Sequence, residues 1–186
     1  KAGQILGDCA KRLEKAGADY VLLATNTMHI VADAIQNAIN IPFIHIGEVT
    51  AQEISCAGYK KAGILATKFT LESDVYKEVY AKSGVELIIP EEKDRILLNT
   101  VIFEELCKGD VKEESRAEFQ RICKELQDKG AECIILGCTE IMILIGQKDV
   151  DLPVFDTTFI HTVKAAELAL DKKLSLPKTE RFCCSC

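Results

Sequence analysis

What the sequence lacks narrows its function first. No stretch approaches the ~18 consecutive apolar residues that a membrane-spanning helix needs, and no basic, apolar, small-residue leader opens the chain. There is no excess of basic charge either: 29 acidic residues against 23 basic ones leave a net charge of −6. A nucleic-acid partner normally demands a basic field, so none is expected, and neither is a membrane. Glycine (11) and proline (4) are not enriched, which argues against a disordered or low-complexity chain. The expectation is a soluble, cytoplasmic protein. Its 186 residues suffice for one good core or for two small α/β lobes sharing an interface.

Nine cysteines are present, and most sit inside helical or strand patterns rather than in a disulfide framework. Cys9, Cys56, Cys107, Cys123 and Cys133 read as small buried hydrophobes. Cys183, Cys184 and Cys186 form a tail, residues 177–186, with no Cys/His pair at zinc-ligand spacing nearby, so no metal site is expected. Cys138 differs from all of these because it follows a buried strand pattern.

Short apolar runs alternate with helical periods, the pattern of parallel strands joined by crossover helices. Residues 20–24, 41–45, 62–66, 86–89, 133–136 and 154–155 are the expected strands. Phe119, Ile122, Cys123 and Leu126 recur at helical spacing, with Asp110 and Gly130 as start and stop signals. Val75, Tyr76, Val79 and Tyr80 make a second stripe. Ile5, Leu6, Cys9 and Leu13 make a third.

One segment recurs. GADYVLLATNT (residues 17–27) aligns without gaps on GAECIILGCTE (residues 130–140), and the preceding helices agree, with Leu13 on Leu126. IPFIHI (41–46) matches LPVFDT (152–157) at nearly the same spacing. Each half reads helix, Gly-Ala turn, buried strand, polar loop, helix and a proline-led strand. The expected fold is therefore α/β, with two pseudo-symmetric Rossmann-like lobes, parallel sheets and an active site in the cleft between them. Residues 1–46 with 154–176 would form the first lobe and residues 47–153 the second. The plainer alternative is that the likeness reflects only the common grammar of βα units.

Ligands of open α/β sheets bind beyond the carboxyl ends of strands, and the repeat makes Thr25 and Cys138 an equivalent pair there. Thr25, Asn26, Thr27 and His29 follow one strand; Cys138, Thr139 and Glu140 follow the other. Loops feeding helices present N–H groups to an anion such as an α-carboxylate. Asn26, Thr27 and Thr139 add donors where deprotonating an α-carbon pushes charge onto that carboxylate. A helix N-terminus would lower the Cys138 thiol from about 8.5 into the range of a carbon base.

These residues also carry a resemblance. ATNTMH (24–29) resembles the Cys-Asn-Thr segment of the aspartate/glutamate racemase family, and LGCTEI (136–141) its Gly-Cys-Thr-Glu segment. LPVFDTTFIH (152–161), IFEELCKG (102–109) and EESR (113–116) match further, so that only the cysteine-rich tail falls outside. The resemblance implies a cofactor-independent amino-acid racemase, using neither pyridoxal phosphate nor metal, in which two groups flank the α-carbon. One removes a proton and the other returns one. It assigns Cys138 to one role, while Thr25 stands where the family places its other cysteine, as in a branch acting on L-aspartate and L-glutamate. Conversion mainly from L to D follows. The resemblance also implies that Lys108 meets the side-chain carboxylate of an amino dicarboxylate. His161, with Asp156, follows the last strand as a cleft-lining candidate, and Glu140 joins the substrate-binding set. A homodimer is the family's usual assembly, although no surface stripe demands one. Because family members open with a further strand and a glycine-rich loop, the chain reads as amino-terminally truncated. The alternatives are a related one-cysteine decarboxylase or isomerase of dicarboxylates and a non-catalytic binding protein.

Overall fold

The computed structural model describes residues 1–170; the tail at 177–186 and the last residues assigned to the first lobe lie outside them. All six expected strands form. β1 (Val21–Leu22) and β2 (Phe43–Ile44) pair in parallel as a small sheet. β3 (Lys61–Leu65), β4 (Glu86–Ile88), β5 (Cys133–Leu136) and β6 (Val154–Asp156) make a second parallel sheet in the order β4-β3-β5-β6. Every residue of β5 is buried, as expected of a central strand covered by helices on both faces.

Eight α-helices are formed among the described residues: α1 (Ala2–Lys15), α2 (Ala32–Gln36), α3 (Ile46–Cys56), α4 (Lys68–Leu71), α5 (Asp74–Lys82), α6 (Glu92–Glu104), α7 (Glu113–Asp128) and α8 (Thr157–Leu170). The stripe read on α7 is its buried face: Phe119, Ile122, Cys123 and Leu126 are all sealed in the larger core. Lys112, not Asp110, precedes the first turn of α7. Asp110 is engaged instead in an ion pair with Lys112 at 3.2 Å.

The repeat is structural. Gly17 and Gly130 follow α1 and α7 and take φ of 91° and 94°, a left-handed turn that glycine enters without a Cβ penalty. Ala18 then bonds back to Leu13 O at 3.1 Å, and Ala131 to Leu126 O at 3.0 Å. The strands that follow open alike, Val21 N on Pro42 O and Ile134 N on Pro153 O, both at 2.8 Å. β1–β2 is thus the counterpart of β5–β6, and α3 that of α8.

Three expectations need correcting. β6 hydrogen-bonds to β5, so the strand at 154–156 closes the larger sheet, and the chain returns to the small lobe only with α8. There α8 packs on α3, with Ala165 joining Ile44 and Val49 in a shared core. Second, α1 turns Gly7 and Ala10 inward rather than Ile5 and Leu13, which are exposed. The cause is close packing on α2: a Cβ on Gly3 would come within 2.9 Å of Ala34 Cβ. Third, only Cys123 and Cys133 of the five cysteines read as core are buried, while Cys9, Cys56 and Cys107 are exposed.

Candidate active site

Both polar loops leave the carboxyl ends of equivalent strands. After β5 the chain extends the ladder for one more residue, Gly137 N donating to Leu65 O at 2.7 Å. A Cβ on Gly137 would lie 3.1 Å from that same oxygen and from Ala66 Cβ, so glycine lets the strand end approach β3 this closely. Cys138 follows, half-buried, and its thiol donates to Glu140 Oε2 at 2.9 Å. Thr139 Oγ1 donates to the same oxygen at 2.7 Å.

This geometry reverses the expected sign of the thiol's acidity. Burial first, then the hydrogen bond to the Glu140 carboxylate, pushes Cys138 up to about 12. No α-helix starts at the loop to oppose them; the chain enters a three-residue 3₁₀ turn, Ile141–Ile143. Burial works to raise Glu140 as well, but the hydrogen bonds it accepts from Cys138 and Thr139 outweigh it and leave the carboxyl below its usual range. Without ligand the pair is thiol and carboxylate.

On the other side, the loop after β1 turns tightly, Thr25 N bonding Leu23 O at 2.8 Å. Ile46 N donates to His29 Nε2 at 3.2 Å, so the His29 proton sits on Nδ1 and is donated to Thr25 O at 2.7 Å. His29 therefore supports the Thr25 turn from below. Asn26 is 3% exposed. Its amide donates to Thr157 Oγ1 at 3.0 Å, and Thr157 in turn donates to Leu136 O, two residues before Cys138, at 2.8 Å. The two strand ends are tied together by this pair of bonds.

Thr27 meets two hydroxyls across the cleft, Thr67 Oγ1 at 3.3 Å and Thr70 Oγ1 at 3.1 Å, and those two lie 3.1 Å apart. Thr67 caps α4. Neither Thr67 nor Thr70 stood out in the sequence, and Tyr76, whose hydroxyl reaches Asn26 O at 2.7 Å, was legible only as part of a helical packing stripe. They come from a segment outside the repeat, and the spacing Thr-x-x-Thr before a helical stripe is the one signal that could have drawn attention to them.

Two expected site residues lie apart from this cluster. His161 is 3% exposed and its Nε2 bonds Ile44 O at 2.8 Å, so the ring fastens α8 to β2. Its companion Asp156 caps α8, accepting from Thr158 N at 2.8 Å. Lys108 is 60% exposed and pairs with Glu104 at 2.5 Å. The thiol of its neighbour Cys107 is raised, by burial first and then by the charge of Glu140.

With this geometry established, comparison with known proteins decides the family. The description of the Asp/Glu/hydantoin racemases matches residues 1–165. The chain belongs to that family. It is 28% identical over 151 residues to the broad specificity amino-acid racemase RacX of Bacillus subtilis, a match covering 81% of this chain and 65% of that protein. The chain thus spans slightly less than two thirds of that curated relative. Among solved structures, one from Yersinia pestis, provisionally described as an Asp/Glu racemase, is 43% identical with a TM-score of 0.86, covering 91% of this chain and 74% of the other. An aspartate racemase homologue from Pyrococcus horikoshii is 39% identical with a TM-score of 0.82, over 90% and 74% of the two chains. Among the described residues, no helix is long and apolar enough to cross a membrane.

Proposed function

We propose that this chain carries the proton-transfer centre of an amino-acid racemase acting on aspartate or glutamate, without pyridoxal phosphate or metal, and taking mainly the L enantiomer. The observation that carries the reading is the Cys138 thiol donating to the Glu140 carboxylate at the end of β5, a strand end tied through Thr157 to Asn26 in the equivalent loop after β1. Family membership and the name of the Bacillus relative support the reaction class; the printed names of the aspartate and Asp/Glu relatives support the substrate.

Glu140 gives the thiol a route to reactivity. The proton on Cys138 moves to the Glu140 carboxylate, and the resulting thiolate takes the α-proton of the L-amino acid. Electrons left on the α-carbon delocalise into the α-carboxylate. Hydrogen bonds to that carboxylate then strengthen as its charge grows. Asn26 and the hydroxyls of Thr27, Thr67 and Thr70 supply them, exchanging their mutual bonds for bonds to the ligand. Thr139 shares Glu140 with the thiol and holds the carboxylate toward it. The Thr25 hydroxyl gives its proton to the opposite face, which completes inversion, and the proton held by Glu140 leaves to solvent as Thr25 takes one up, which restores the starting state. Lys108 would leave Glu104 to meet the side-chain carboxylate.

A threonine hydroxyl is a far weaker base than a thiolate, so the two faces are unequal. Enantiomers have equal free energy, which forces kcat/KM to be the same in both directions. The preference for L therefore lies in kcat and KM separately and in exchange without inversion. The lobes, residues 1–46 with α8 on one side and 47–156 on the other, would close over the substrate and exclude water. A homodimer is the assembly we propose for this unit.

Chiral chromatography of L-aspartate and L-glutamate incubated with wild type and Cys138→Ser tests the reading. It predicts D product from wild type and a loss of about 10²–10⁴-fold in the variant. Full activity in the variant would remove the thiol from the mechanism.

A further inference from the structure

Asn26 is held by more than its own loop. Its Nδ2 donates to Thr157 Oγ1, whose hydroxyl proton is committed to Leu136 O. From the other side the Tyr76 hydroxyl lies 2.7 Å from Asn26 O and 3.3 Å from Asn26 Oδ1. A phenol has one proton to give, and the shorter contact takes it. The polarity of the whole chain is then fixed: Tyr76 to the Asn26 carbonyl, the Asn26 amide to Thr157, and Thr157 to the end of β5. What remains free on Asn26 is one amide hydrogen and the Oδ1 lone pairs, adjacent to Thr25.

Tyr76 belongs to α5, in the lobe opposite Asn26, and it is almost fully buried. Its ring stacks on Tyr80 with centroids 6.4 Å apart, which fixes the direction of the hydroxyl. A buried phenol that bonds a backbone carbonyl of the other lobe and lies against the side-chain amide of the same residue does more than fill the core, because Phe would pack the same volume. Burial first, then the neighbouring Tyr80, raises Tyr76 well above the ordinary phenol range, so its hydroxyl remains a donor.

We infer that Tyr76 is a positioning residue: its hydroxyl, reaching across the cleft, locks the Asn26 loop and amide in the orientation that meets the substrate carboxylate. The inference deepens the racemase reading and rests on it for the ligand, while the lock itself can be measured without any substrate.

The test combines kinetics with a substrate-free probe. Tyr76→Phe should lower kcat/KM for L-aspartate or L-glutamate about tenfold, and by less than twofold in an Asn26→Ala background, since the hydroxyl acts through Asn26. In nitrogen-15 spectra of the whole chain, the Asn26 side-chain amide should exchange with solvent at least tenfold faster in Tyr76→Phe than in wild type. Equal activity losses in both backgrounds, or unchanged amide protection, overturns the inference. If wild type racemises nothing, the racemase reading fails and the amide exchange alone decides for Tyr76. Should Tyr76→Phe fail to fold, the Tyr76 hydroxyl proton of the wild type is read instead: slow exchange with solvent, at least tenfold below that of a free phenol, supports the lock, and exchange as fast as a free phenol overturns it.

Discussion

The Cys138 thiol donates its proton to the Glu140 carboxylate in a hydrogen bond of 2.9 Å, two residues apart on one loop. Glu140 both holds the thiol un-ionised and is the acceptor into which its proton can go. Replacing it with a neutral amide separates those effects. In Glu140→Gln the thiol should titrate lower than in wild type, because a negative charge no longer opposes its ionisation. Racemisation should nevertheless fall by about 10²-fold with loss of the proton acceptor. Peptide-resolved alkylation of Cys138 against pH, run beside chiral chromatography, reads both.

Three buried histidines give the fold an acid limit. His29 is pushed down to about 4 and His45 to about 3, by burial first in each case, and His161 is lowered by burial as well. Their rings lie together, His29 4.4 Å from His45 and 6.1 Å from His161 by centroids. Folded values below the unfolded 6.5 mean that the unfolded chain binds protons first as pH falls. Stability is therefore fully present above about pH 6.5 and is lost progressively down to the folded values. Between pH 7.5 and 5.5 His29 and His45 together should remove about 2–3 kcal/mol, readable as a shift of the urea midpoint. A midpoint that is flat over this range would contradict the buried, neutral cluster.

Lys108 offers a specificity test. Lys108→Met should raise KM for amino dicarboxylates about tenfold and leave kcat within about twofold, the pattern of binding lost equally from ground and transition states. Unchanged KM would leave Lys108 as the partner of Glu104 alone.

Gly137 reports on how the strand end is built. Gly137→Ala puts a Cβ 3.1 Å from a backbone oxygen and 3.2 Å from Ile64 Cδ1, so its neighbours must give by a few tenths of an ångström. A cost of about 1–3 kcal/mol in thermal or urea unfolding is expected, with activity falling further than stability because Cys138 is the next residue. A variant as stable and active as wild type would show that the close approach is dispensable.

The six strands were legible because each is a short apolar run between turn signals, and the repeat because its glycines, Gly17 and Gly130, occupy the same left-handed turn. Residues on the two strand-end loops could be named for the same reason. Tyr76, Thr67 and Thr70 could not: they lie in the segment between the repeats, and their role depends on which lobe faces which. His161 looked like a cleft residue because it follows the last strand by a few positions. The helical turn of α8 aims it at Ile44 instead. The acidity of Cys138 was misread because a loop feeding a helix is indistinguishable in sequence from one feeding a 3₁₀ turn, and only the former carries a useful dipole. Cys9 followed apolar spacing, but small neighbours allowed α1 to turn a different face inward.

Exchange of the α-hydrogen in deuterium oxide, followed by proton NMR on both enantiomers of aspartate and glutamate, addresses the thiol at position 138 most directly. The account predicts that wild type replaces the α-hydrogen of an L-amino dicarboxylate, faster than that of its D enantiomer, and that Cys138→Ser does neither. Retention of the α-hydrogen in all four amino acids by folded wild-type protein, or exchange undiminished in Cys138→Ser, would contradict it.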